Sequence, residues 1–268
     1  PATGKFPCGS AVRFNHVEAA GGQGVVLGSM QERHEVGIAG NATIPGFMLS
    51  KSATDKLATA INDGTLRVEL NNDYKAQGRT SHSKALDLVS SSARGQHGSD
   101  GYIKPDVAAP GAEIVSAAVG GGTKGVAFTG TSMAAPHASG VAALVLQAHQ
   151  DYSPTMLKAA LMNGANTDLK DSQGHTYAVD RVGSGMINAK AAVEAKVLAY
   201  DTKQPERVST AFGVLEYTPD SGVQTVTRDI TLDNTDSRAR TYTPEYVAST
   251  SIPGVSFSLP STVSVGAG

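Results

Sequence analysis

The sequence predicts an α/β protein with a β-rich C-terminal segment. Three observations carry that expectation. Val126-Ala127-Phe128 forms a short strand that passes through Gly130-Thr131 into a long, Ala-rich helical stretch, Met133 to His149. Residues 1 to 73 interleave short apolar strands with helix-forming stretches. Beyond Tyr200, apolar and polar residues alternate in short runs divided by turn residues, the pattern of a sandwich.

In chain order, Phe14 to Ala20 reads as a short helix closed by the turn Gly21-Gly22-Gln23-Gly24, and Val25-Val26-Leu27 as an apolar strand. Ile44 to Leu49 is a strand that Pro45 confines to an edge or to its first residues, since Pro has no N–H for a ladder. Ser52 is the expected N-cap of a helix with Asp55 in its first turn. Leu57 and Ile61 share one face of that helix, which stops at Asp63-Gly64. Leu66, Val68 and Leu70 alternate with polar residues and predict a strand.

The central helix carries Ala134, Ala135, Ala138, Gly140, Ala142, Ala143 and Leu144. Small apolar residues on most sides predict a helix buried all round. Past Tyr200, strands are expected over Val223 to Leu232, from Thr241, over Ile252 to Val255, and at Val263 to Val265. Asp233 to Asp236 reads as a hairpin turn. It also offers three oxygen ligands of a calcium loop but lacks the bidentate Glu, so a structural calcium stays an alternative and no metal or cofactor is assigned.

The chain has 268 residues, enough for two domains or pieces of two or three. A net charge of -2 supplies no basic field for nucleic acid. The longest apolar run, Val141 to Leu146, is far too short to cross a bilayer. Cys8 is the single cysteine: either a small buried hydrophobe or half of a pair whose partner lies elsewhere.

The string G-T-S-M-A-A-P-H, Gly130 to His137, puts a Ser at a tight turn entering a helix. It resembles the nucleophile motif of the subtilisin-like serine proteases, the subtilases. Ser91 to Gly95, Ile103 to Gly111, Ser153 to Met162 and Gly183 to Val193 resemble, in the right order, other segments of that family's catalytic domain. The resemblance implies the nucleophile half of a subtilisin-like parallel-sheet domain over residues 75–200. Residues 1–74 resemble part of a protease-associated domain, a small α/β module inserted in many subtilases. Residues 201–268 resemble the start of a fibronectin-III-like β-sandwich.

The resemblance implies Ser132 as nucleophile, with its backbone N–H as one oxyanion donor. Thr131 is either an indirect contact to the oxyanion or simply a turn residue. Lys104 and Asp106 look catalytic in type, but the family's Lys-Pro-Asp segment is structural, and Asp106 reads as a buried, hydrogen-bonded carboxylate holding that segment near the nucleophile loop.

A Ser nucleophile needs a base, and the base an orienting group. The family's Asp-x-Gly strand and H-G-T-H stretch find no match here. Asp63, Asp100 and Asp171 sit in turns or a lead-in, and His16, His34, His82, His97, His149 and His175 lack the H-G-x-H context. His137 reads as a packed helical residue. Asn41 only superficially resembles the family's oxyanion Asn.

The expectation is therefore a secreted or cell-surface serine endopeptidase piece, inactive alone, whose Asp, His and Asn lie upstream or on another chain. Its partners would be a peptide or protein substrate and the upstream half. The alternative is a non-catalytic binding module or pseudoenzyme.

Overall fold

The computed structural model describes residues 9–30, 38, 40–69, 86–95, 101–218, 220–248 and 251–268. Cys8, His34, Leu70, His82, His97 and Asp100 lie outside the described residues. The chain divides into two compact units. One draws on residues 1–80 and 115–129, the other on 81–114 and 130–268.

In the first unit, α1 (Ser10–Ala19) buries Phe14. β1 (Val25–Gly28) pairs in parallel with β2 (Gly46–Leu49), from Val25 opposite Gly46 to Gly28 opposite Leu49. β2 begins just past Pro45, as a residue without an N–H requires. α2 (Lys51–Asn62) is capped by Ser50, whose Oγ accepts from the Ala53 N–H. The cap therefore falls two residues before the expected Ser52. Asp55 instead forms an i,i+4 pair with Lys51. The helix ends at Asp63, with Gly64 at φ +66°. The strand expected from Leu66 is not formed over residues 65–69: the N–H groups of Thr65 and Leu66 turn back onto the Ala60 carbonyl at the end of α2. β3 (Ile114–Ala117) and β4 (Gly125–Phe128) pair across a Gly-rich turn.

The second unit is built on helices. α3 (Thr131–Ala148) is followed by α4 (Pro154–Asn163), which Ser153 caps through the Met156 N–H with Pro154 in the first turn. A single-turn α5 (Val179–Val182) and a short α6 (Ala189–Glu194), capped by Asn188, complete the helical set. The main core gathers Val145, Tyr152, Ala159, Ala160, Leu161, Met162, Ala192, Leu198 and Val208. A smaller cluster joins Ala108, Leu169 and Val182.

β5 (Val197–Asp201) pairs antiparallel with β6 (Ile230–Asn234), and β7 (Arg240–Tyr242) with β8 (Val263–Val265). The β5–β6 ladder joins the helical core to the C-terminal segment. The Asn163 side chain supports it by accepting from the Ala199 N–H at 2.7 Å.

Four expectations need correction here. α3 is not buried all round: only Val145 is fully covered, and Leu144 and Leu146 face outward. Its buried stripe (Ala138, Val141, Ala142, Val145) packs toward α4 and α6, and the opposite side is uncovered. The expected strand over Val223 to Leu232 shrinks to β6, because among the described residues the ladder with β5 begins at Ile230. Asp233 and Asn234 belong to that strand, so the turn starts later. Asn234, nearly fully buried, closes it by donating to the carbonyls of Arg238 and Gly266 and accepting from the Asp236 N–H. Ile252 to Val255 is a turn, with the Val255 N–H on the Ile252 carbonyl. Among the described residues of the nucleophile region, parallel pairing is limited to an isolated bridge between Ala108 and Met186.

Candidate active site

The site is the first turn of α3. Thr131 and Ser132 open the helix, and both are exposed. The Gly130 carbonyl organises the turn by accepting the N–H groups of Met133 at 3.0 Å and Ala134 at 3.3 Å. The Ser132 N–H has no carbonyl four residues back within the helix, so it points out of the helix start, where the dipole is positive. Pro136 lies four residues after Ser132. It lacks the N–H that would bond the Ser132 carbonyl, which loosens the ladder at Ser132.

The segment before the turn holds it in place. Gly130 N–H donates to the Gly111 carbonyl at 2.8 Å. Behind Gly111, the Asp106 carbonyl accepts from Ser184 N–H, and Ala108 exchanges backbone bonds with Gly185 and Ile187. Gly183 permits this approach: its φ is +59°, and a Cβ there would lie 2.2 Å from the Asp106 carbonyl oxygen. Asp106 is not the fully buried carboxylate expected. It is about a quarter exposed and receives Lys104 and, at 3.4 Å, Lys158 from α4. Two ammonium groups take the place of burial in fixing it, because a carboxylate offers about four lone-pair sites.

The histidines have other partners. His137 donates from Nδ1 to the Met133 carbonyl at 2.8 Å, along its own helix. His149 donates from Nε2 to the Val193 carbonyl at 2.8 Å and stacks on Tyr152 with ring centres 4.4 Å apart. His175 meets Asp171 at 3.0 Å in an exposed turn. There the His175 backbone N–H, above all, holds the Asp171 carboxyl below its ordinary value. His16 lies in the last turn of α1, in the other unit. Within the second unit, no described histidine or carboxylate is hydrogen-bonded to Ser132.

Asn41 has a local role. Its amide donates to Asn15 and Glu18 of α1, and its carbonyl accepts from the N–H groups of Thr43 and Ile44, an Asx turn that ties the loop to the helix. The described residues hold no cluster of His, Cys, Asp or Glu arranged to bind a metal. No helix among them is long and apolar enough to cross a membrane.

Two contacts of this unit carry no signal in the sequence. Lys158, inside α4, had no signal beyond a polar residue on a helix. The Tyr152 hydroxyl meets the Thr235 hydroxyl at 3.1 Å, a contact across 83 residues that no local pattern reveals.

Residues 18–213 match the model of the Subtilase family. The chain is 31% identical over 245 residues to the minor extracellular protease Vpr of Bacillus subtilis (strain 168), covering 87% of this chain and 28% of that protein. It is 30% identical over 233 residues to subtilisin-like protease SBT1.6 of Arabidopsis thaliana, covering 79% of this chain and 30% of that protein. With subtilisin-like protease SBT3 of Solanum lycopersicum it shares 36% identity over 142 residues, 46% of this chain and 18% of that protein. The chain thus spans less than a third of the length of these relatives.

Proposed function

The chain belongs to the subtilase family, and from that premise we propose that it carries the nucleophile, Ser132, of a secreted or cell-surface serine endopeptidase. The observation that carries the reading is the string G-T-S-M-A-A-P-H at the start of α3, with Ser132 exposed in the first turn. In the complete protease the Ser132 Oγ attacks the scissile carbonyl carbon while a histidine takes the Oγ proton. That proton passes to the leaving amine, and water then hydrolyses the Ser132 ester. The Ser132 backbone N–H, at a helix N-terminus, faces the developing oxyanion. One such donor is worth about 10²–10³ in turnover. Thr131 lines the same turn.

The base, its carboxylate and the second oxyanion donor, an Asn, come from outside this chain, upstream or on a partner chain. The partners of His137, His149 and His175 support that assignment. Residues 1–74 are part of a protease-associated domain, supported by the order α1, β1, β2, α2. Residues 75–200 are the C-terminal part of the catalytic domain, whose parallel sheet is completed by the upstream half. Residues 201–268 begin a fibronectin-III-like sandwich. Secretion is supported by the name of the B. subtilis relative, an extracellular protease.

The test is reactivity toward a fluorophosphonate probe. The isolated chain is expected not to label at a protease-like rate. In the full-length protein Ser132→Ala abolishes turnover and leaves the fold intact, since Ser132 is exposed and Gly130 is the N-cap of α3, so the change should stay within about 0.5 kcal/mol. Rapid labelling of the isolated chain would mean that one of its own histidines serves as base. Normal activity in the Ser132→Ala protein would remove Ser132 from the nucleophile role.

A further inference from the structure

We propose that Gly111 is a positioning residue for Ser132: its bare Cα lets the segment from Lys104 to Gly111 lie directly against the Gly130 carbonyl, and that contact sets where the nucleophile turn sits. The proposal rests on the reading of Ser132 as nucleophile.

Gly111 touches the turn in two ways. Its carbonyl accepts the Gly130 N–H at 2.8 Å. A Cβ at Gly111 would lie 2.8 Å from the Gly130 carbonyl oxygen and 3.3 Å from the Ala134 Cβ. The first of these is closer than real Cβ contacts come, and the atom it meets is backbone, which has no rotamer to swing away. That oxygen is also the acceptor for the Met133 and Ala134 N–H groups, so pushing it moves the hydrogen bonds that bracket Ser132.

Two further observations decide which side gives way. Gly111 is not in the left-handed region, so alanine there carries no backbone strain of its own and the collision is the whole perturbation. The segment behind Gly111 has little slack. Asp106 is pinned by Ser184, Lys104 and Lys158, and Ala108 is bonded on both sides to Gly185 and Ile187. Thr131 and Ser132 are exposed, and their turn is tied to this segment through the Gly130 N–H bond to the Gly111 carbonyl. A Cβ at Gly111 therefore displaces the nucleophile turn rather than the segment that carries it. Misplacement of a reacting group by about 1 Å costs on the order of 10²-fold in rate, so a shift of several tenths of an ångström is expected to cost roughly ten-fold or more.

The experiment pairs Gly111→Ala with Gly164→Ala, a control in which the new Cβ meets the Ala192 nitrogen at 2.7 Å between α4 and α6. In the full-length protein Gly111→Ala is expected to lower kcat about ten- to a hundred-fold with KM within about twofold. Gly164→Ala is expected to lower thermal stability with kcat per folded molecule preserved. In the chain studied by NMR, Gly111→Ala shifts the amides of Gly130, Met133 and Ala134 and leaves those of β5 and β6 in place. Unchanged turn amides, or an equal loss of kcat in the two variants, would overturn the proposal. Should Gly111→Ala fold poorly, the double variant Gly111→Ala with Ala134→Gly removes the 3.3 Å contact and keeps the Gly130 collision. Its kcat loss must persist, and a normal kcat overturns the proposal. Shifted turn amides together with an active Ser132→Ala protein would refute the nucleophile reading while leaving Gly111 in control of the turn.

Discussion

α3 and α4 are neighbours in sequence and in space, both rich in Ala, Leu and Met, and they are covered very differently. α4 runs for 10 residues and buries four in succession, Ala159 to Met162. α3 runs for 18 and buries one, Val145. α4 packs against α3, α6, β5 and the 3₁₀ turn at Pro205–Arg207, and these neighbours cover the run from Ala159 to Met162. α3 meets α4 and α6 on one stripe, and Leu144 at 49% and Leu146 at 43% exposure flank that stripe on either side. Apolar composition tells what a helix is able to bury. What covers it depends on partners supplied from elsewhere in the fold, and α3, the longer of the two helices, is the less covered.

The largest expected effect tests the covered side. Met162→Ala, at a site only 5% exposed, should cost about 2–5 kcal/mol in denaturant unfolding, the range for truncating a large core side chain. A cost below about 1 kcal/mol would mean that α4 is not the packed centre of its unit.

The next concerns the strand that covers α4. Asp201 ends β5 with its carboxylate buried. Burial alone would raise its pKa, but the N–H groups of Gln204 and Lys203 and the Thr210 hydroxyl together outweigh that and leave it lowered from 3.8. A carboxyl with a lowered folded-state pKa stabilises the fold above its unfolded pKa, and that contribution disappears as pH falls through the folded value. Unfolding of the second unit should therefore become easier below about pH 4. Asp201→Asn should flatten this part of the pH–stability curve, and a variant with the wild-type acid slope would remove Asp201 as its source.

A smaller effect is expected at the far end of α3. Tyr152→Phe removes the hydroxyl that meets Thr235 and keeps the ring stacked on His149. The expected loss is about 1 kcal/mol, the usual net value of a hydrogen bond. No loss in urea unfolding would mean that the C-terminal segment contributes nothing to anchoring α3.

The smallest stability effect, and the sharpest contrast with Met162, is Leu144→Ser on the half-exposed flank of α3. Stability should stay within about 0.5 kcal/mol, while binding of a hydrophobic dye by the isolated chain should fall. Unchanged dye binding would locate the adsorbing surface elsewhere.

Much of this was legible from short-range signals. Ser153 and Pro154 announce the start of α4, Asp63-Gly64 the end of α2, and Gly130-Thr131 the start of α3, because caps, breakers and tight turns are decided by neighbouring residues. Where the sequence misled, the deciding partner was distant or local competition was close. Ser50 and Ser52 are both competent caps, and the chain entering from β2 selects the first. Val223 and Val226 alternate as a strand should, yet lie before the point where β5 offers a ladder. Gly111 was visible only as part of a motif. That its missing side chain makes room for the Gly130 carbonyl is a fact of two segments meeting.

The β5–β6 ladder also bears on how the chain is made. Val197 to Asp201 leaves the ribosome well before Ile230 to Asn234, and at about 5–20 residues per second the interval lasts seconds. For that time the nascent helical core carries an unpaired strand edge beside an incompletely covered α3. An exposed edge is a template for pairing with other chains, so this window is when the polypeptide most needs a chaperone, and slower codons between Asp201 and Ile230 would lengthen it.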